Sequence, residues 1–152
     1  MEDRVFRDAM GKFATGITVI ALEDREEIKA MTVNAFMSIS LEPKLIAISI
    51  AKKASMHDKF KITKKFGISI LSDSQKELSM VFAKQVPKDR EITFNMLDNA
   101  PVLDESLVTL SCQVSNTIDS GDHTIVVAEV SSLNVDAGDP LVFYQGKYRE
   151  IK

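Results

Sequence analysis

The stretch "SLVTLSCQVSNTIDSGDHTIVVAEVSSLNV", residues 106–135, is two long β-rich runs separated by the turn signal Asp119 to Asp122. Gly121 is available for the positive φ that a tight reversal needs, so the stretch reads as an antiparallel hairpin. The same chemistry recurs outward from it. "ITVIAL" (17–22), "LIAISIA" (45–51) and "FGISIL" (66–71) are short runs rich in β-branched residues. The charged "EDREE" (23–27) reads as a hairpin turn, and "DPLVFYQGKYREI" (139–151) as a short strand pair around Gly146.

Three segments carry helical spacing. "RVFRDAMGKFATG" (4–16) sets Val5, Phe6, Ala9, Met10 and Phe13 on one face, with Gly16 as a stop. "KKASMHDKFKITKKF" (52–66) predicts a helix from Ser55, with Asp58 three residues on as a capping-box variant. "SDSQKELSMVFAKQ" (72–85) predicts another, with Ser74 as N-cap, Glu77 three residues later, and Pro87 closing it. Residues 88–99 read as an irregular loop carrying Phe94 and Met96 inward. Six or more strands, two or three short helices and no regular βαβ alternation predict a mainly β fold, an antiparallel barrel with attached helices.

Composition narrows the function. The chain has 152 residues, 45% hydrophobic and 27% charged, with a formal net charge of −3. That size predicts one domain spanning residues 1–152. The charge disfavours a general nucleic-acid binder, and no apolar run approaches the ~20 residues a membrane helix needs. With one cysteine, Cys112, and two histidines, His57 and His123, no internal disulfide and no Cys/His metal site is expected. A reducing cytoplasm is the simplest compartment. Cys112 sits in an apolar alternating run and reads as an inert buried thiol.

Two places suggest a ligand. In "MTVNAFMSISLEP" (31–43), strand alternation puts Met31, Val33, Ala35, Met37, Ile39 and Leu41 on one face. Thr32, Asn34, Phe36, Ser38 and Ser40 fall on the other, where five positions hold no charge. Such a face either meets solvent or a neighbouring strand, or it beds a heteroaromatic ligand rich in carbonyls and ring nitrogens. In "SIAKKASMHDK" (49–59), a strand ends at Ala51 and Lys52, Lys53 and Ser55 precede the expected helix. These are surface charges and a cap, or together an anion site. His123 lies where a turn meets a strand, as an exposed turn residue or a donor at a ligand's mouth. His57 falls on the charged face of its helix. No hydrolase triad, Gly-rich phosphate loop or paired-carboxylate motif stands out, which favours chemistry carried by a bound cofactor.

In order along the chain, "FRDAMGKFATGITVI", "MTVNAFMSISLEPKLIAISI", "FGISIL…FAKQ", "PVLDESLVTLSCQV", "GDHTIVVAEV" and "PLVFYQGKYREI" resemble the blocks of the flavin reductase-like family of FMN-binding split barrels. That family includes the reductase components of two-component flavin monooxygenases. The likeness runs from about Phe6 to Ile151. Ala35 stands where Ser is usual, Lys44 where a second Pro is frequent, and Ala128 where Gly often precedes Glu-Val. The resemblance implies an antiparallel split barrel of Greek-key type and an FMN, with FAD as an alternative, at a homodimer interface. Its ring would lie along Thr32, Val33, Asn34, Ala35 and Phe36, with Ser38 nearby. Ser49, Ile50 and Ala51 would lead to a phosphate at Lys52, Lys53 and Ser55, and Phe82 and Ala83 would border the site. His123 would orient nicotinamide and flavin, with Tyr148 beside it. The implied activity is NADH- or NADPH-dependent flavin reduction, supplying a separate monooxygenase. A non-catalytic FMN carrier on the same barrel is the alternative.

Overall fold

The structure, a computed structural model, describes residues 1–151. Helix α1 (Asp3–Met10) is followed by strands β1 (Thr15–Gly16), β2 (Thr18–Asp24), β3 (Glu27–Val33), β4 (Phe36–Ser40) and β5 (Leu45–Ala51). Then come β6 (Lys65–Ile70), helix α2 (Lys76–Phe82), β7 (Asn95–Leu97), β8 (Ala100–Val102), β9 (Val108–Ser120), β10 (His123–Val135), β11 (Val142–Tyr144) and β12 (Lys147–Arg149).

The main sheet is antiparallel, in the order β3-β2-β6-β9-β10-β5-β4. If it were flat, six strand spacings would hold its edges about 29 Å apart. Yet the edge strands β3 and β4 are consecutive, joined only by Asn34 and Ala35, and three Cα–Cα steps reach at most ~11 Å. The sheet therefore curls into a barrel with its seam at that junction. Inside lie Ile20, Leu22, Ile48, Phe66, Cys112 and Val126, all at most 1% exposed, and Phe66 meets Phe60 edge-on at 5.3 Å. A second cluster built on Val19, Leu71 and Leu103 packs outside the barrel, with Phe82, Phe143 and Tyr148 against it.

The expected hairpins form. Arg25 and Glu26 take positive φ between β2 and β3, and Gly121 does so between β9 and β10. Several local expectations are overturned. The stretch 31–43 is not one alternating strand, because the chain must cross from one sheet edge to the other at Asn34–Ala35. A bulge between Ser38 and Ser40 then shifts the pairing with β5 again. Met37, Ile39 and Leu41, which alternation put on one face with the buried Val33, are 58%, 40% and 77% exposed.

The helix expected from Ser55 is a single 3-10 turn, His57–Lys59, with no side-chain cap bond. Met56 and Phe60 are both anchored in the barrel core, and that pair of anchors holds the crossover close to the barrel end. Ser74 does not cap α2, because the capping box belongs to Ser72 and Gln75 in the 3-10 turn Asp73–Gln75 ahead of the helix. The Ser72 amide donates to Gln75 Oε1 at 2.9 Å, starting a 3-10 turn that runs into the helix. Helix α1 ends at Gly11, whose amide donates to the Arg7 carbonyl at 2.9 Å, so Gly16 is not the stop. Met96 lies in the short strand β7 and is half exposed rather than inward, while Phe94 packs on Phe82 at 5.8 Å.

Candidate functional site

A cleft of about 810 Å³ opens beside the barrel seam, within the usual range for a small-molecule site. One wall is the barrel: Asn34, Ala35, Phe36, Ile48, Ser49 and His123 line it. The seam fixes this wall, since the Ser49 amide donates to the Ala35 carbonyl at 3.1 Å as the chain passes between β3 and β4. β5 is paired on both sides, by β4 and by β10, and the register puts His123 opposite Ala51 and Ile125 opposite Ser49. The other wall comes from α1 and the β1–β11 pair, with Phe6, Arg7, Met10, Thr15, Phe143 and Gln145.

Of the residues named from sequence, Asn34, Ala35, Phe36, Ser49 and His123 come together in this cleft. Val33 and Ile50 point into the barrel core, at 7% and 1% exposure. Thr32 turns away, and its Oγ1 donates to the Ser79 carbonyl on α2 at 2.7 Å. Ser38 is exposed on β4. Phe82 and Ala83 lie at the end of α2, outside the cleft lining. Tyr148 does not line the cleft either. Its hydroxyl pairs with Ser79 Oγ at 2.9 Å, and its ring stands edge-on behind Phe143 at 5.6 Å.

The Ala51–Ser55 turn lies at the end of β5 that carries His123. The Lys52 amide donates to the Asp122 carbonyl at 2.9 Å, which closes the turn onto the β9–β10 hairpin. Lys52 Nζ forms an ion pair with Asp119. Lys53 and Ser55 are exposed. Among the described residues, the amides of Lys53 and Ser55 find no backbone acceptor. The turn thus presents an ammonium, a hydroxyl and open N–H groups without a helix N-terminus behind them.

His123 Nδ1 and Asp122 Oδ1 are 2.8 Å apart. That hydrogen bond, and then the imidazole's charge, hold the Asp122 carboxyl below the usual carboxylate range. His57 is tied up elsewhere, with Nε2 at 2.7 Å from Thr124 Oγ1 and Nδ1 at 2.8 Å from Asp58. Burial pushes the Cys112 thiol up to about 12, so it stays protonated and unreactive at neutral pH. Among the described residues, no group of three or more His, Cys, Asp or Glu is placed to hold a metal ion. None of their helices is long and apolar enough to cross a membrane.

Sequence reasoning missed the second wall. The signal was present in Phe6, Met10 and Phe13, but an apolar stripe at helical spacing reads as core. No side chain of α1 is in fact buried.

The family model for the flavin reductase like domain matches residues 10–152. The chain is 39% identical over 149 residues to an NADH-dependent flavin reductase from Rhodococcus sp, spanning 96% of this chain and 85% of that one. It is 38% identical over 146 residues to an FMN reductase (NADH) from Agrobacterium fabrum, spanning 95% and 84%. It is 33% identical over 147 residues to the reductase component of 4-hydroxyphenylacetate 3-monooxygenase from Thermus thermophilus, spanning 96% and 95%. Among solved structures, the flavin reductase PheA2 superposes with a TM-score of 0.96 at 47% identity, over 100% of this chain and 99% of that one.

Proposed function

This chain belongs to the flavin reductase like domain family, and on that premise we propose that it is an NADH-dependent flavin reductase. It reduces flavin, FMN foremost, and passes it to a separate monooxygenase component. The observation that carries this reading is the cleft at the seam. Its barrel wall offers Phe36 to a flat ring, and Asn34 and Ser49 to the ring's polar edge. The exposed Lys53–Ser55 turn follows on the same chain.

This donor set fits a flavin, which is apolar over its ring face, rich in carbonyls along one edge and anionic at its tail. Bound flavin supplies a ring that accepts hydride from the nicotinamide. The chain's own work is positional: Asn34 and Ser49 fix the polar edge, the Lys53 ammonium meets the phosphate, and Phe36 and Phe143 bound the space above the barrel wall. His123, held by Asp122, orients the second ring at the mouth. Hydride transfer between stacked rings depends on alignment more than on a protein acid or base.

The protein acts as one domain in the cytoplasm and as a homodimer. Ile39 on the edge strand β4 and Leu41 just beyond it stand open to water, an apolar edge that self-association covers. Sedimentation as a strict monomer with full FMN affinity would contradict the dimer. The function is tested by titrating purified protein with FMN and following NADH oxidation. Protein that binds no FMN and oxidises no NADH with added flavin would sink the reading. His123→Ala is expected to raise KM for NADH or lower turnover, and no change in either would remove its assigned role.

A further inference from the structure

The flavin bed uses the barrel wall, Phe143 and the Lys53 turn, which leaves α1 and Thr15 on the opposite wall of the same cleft without a task. Arg7 is the one permanently charged side chain lining the cleft, and no carboxylate lines it. Among the described residues Arg7 has no ion-pair partner, whereas Arg4 on the same helix lies 3.9 Å from Asp8. Apolar Phe6 and Met10 flank it, over half exposed.

A second observation on this wall points to a ligand. Thr15 Oγ1 is the one buried side-chain polar atom without a hydrogen-bond partner among the described residues. Thr15 lines the cleft opposite Phe143 in the β1–β11 pair. Proteins seldom leave a shielded hydroxyl unpaired. The residue as a whole is only half-buried and lines the cleft.

We propose that Arg7 binds the diphosphate of the reduced pyridine dinucleotide along the α1 wall, with Thr15 pairing with polar groups of the same ligand. This rests on the reductase reading. A guanidinium suits the task because its planar fork engages phosphate oxygens two at a time, where an ammonium acts as a point charge. An arginine in a cleft free of carboxylates also attracts an anion without competition from within the site. Arg7 thereby sets KM for the reductant, while Lys53 serves the flavin.

The test compares wild type with Arg7→Ala and Arg7→Lys, using NADH and the uncharged donor N-benzyl-dihydronicotinamide, which carries no diphosphate. Arg7→Ala is expected to raise KM for NADH about tenfold, with kcat nearly kept and Arg7→Lys falling between. FMN affinity and the rate with the benzyl donor should change less than twofold. An unchanged KM for NADH overturns the proposal. So does a matching loss of FMN affinity, which would give Arg7 to the flavin, or an equal loss with the benzyl donor, which would make its role structural. Wild-type protein inactive with both donors would sink the reductase reading instead. Thr15→Val gives an independent arm. It should raise KM for NADH severalfold without lowering the melting temperature, since the free protein loses no hydrogen bond. A clear drop in melting temperature with unchanged KM would remove Thr15 from the site.

Discussion

On one side of the cleft, Ala35, Phe36, Ile48 and Ser49 belong to or flank strands paired into a barrel whose interior residues Ile48 and Ile50 are 1% exposed. On the other side, α1 buries no side chain. It is tied to the fold by the Gln145 amide donating to the Gly11 carbonyl at 2.9 Å and by the two-residue pairing of β1 with β11. The barrel wall can open only with the core, whereas the α1 wall can open locally. A site that receives one ligand to be held and a second to come and go has use for that asymmetry.

The largest expected effect breaks the comparison from the barrel side. Phe66 is fully buried and packs edge-on against Phe60. Phe66→Ala should cost about 3–5 kcal/mol in denaturant unfolding, from lost burial and the cavity left behind. Flavin affinity should fall with it, because β5 and β10 pack on the same core. A loss below ~1 kcal/mol would mean that the barrel does not hold the site.

A smaller effect probes the join between the walls. Tyr148 hydrogen-bonds the fully buried Ser79 and braces Phe143, which lines the cleft. Tyr148→Phe keeps the ring and strands the Ser79 hydroxyl, at a cost of about 1–2 kcal/mol. It should raise KM for the reductant more than it lowers kcat, since Tyr148 is a positioning residue behind the cleft. A normal melting temperature with a normal KM would detach Phe143 from that support.

The same contrast explains what the sequence could and could not reveal. Burial leaves a period, so the β2–β3 and β9–β10 hairpins and the existence of α2 were legible from alternation and turn residues. On the barrel wall, Asn34 and Phe36 could be named for the same reason, because they stand out as uncharged and ill-suited to a solvated strand, whereas Ala35 and Ser49 came only with the family resemblance and His123 from its place where a turn meets a strand. Periodicity failed where the chain changes direction under tertiary control. Nothing local marks Asn34–Ala35 as the seam, because the crossing is imposed by closure of the barrel rather than by a Gly or Pro. It failed again at Ser55, where Met56 and Phe60 are both drawn into the core and the expected helix shrinks to one turn. Arg7, Thr15 and Gln145 stayed hidden because their wall joins α1 and β1 to the far end of the chain at β11. Its apolar stripe also has the pattern of a buried helix face.

The smallest effect lies at the rim of the barrel wall. Asp122 is an exposed carboxylate whose main partner is His123, and that hydrogen bond lowers its pKa in the folded state. A depressed carboxyl contributes stability above its unfolded value and loses it as pH falls through the folded one. Wild type should therefore hold a slight advantage over Asp122→Asn at neutral pH that fades below about pH 4. Melting temperatures of the two proteins from acid to neutral pH check this, and a constant difference across that range would deny the link to His123. In kinetics, Asp122→Asn keeps the side chain's size and loosens only the imidazole's orientation, so its effect should be smaller than that of His123→Ala. An effect as large would mean that Asp122 acts through its own charge at the cleft mouth rather than through the ring it holds.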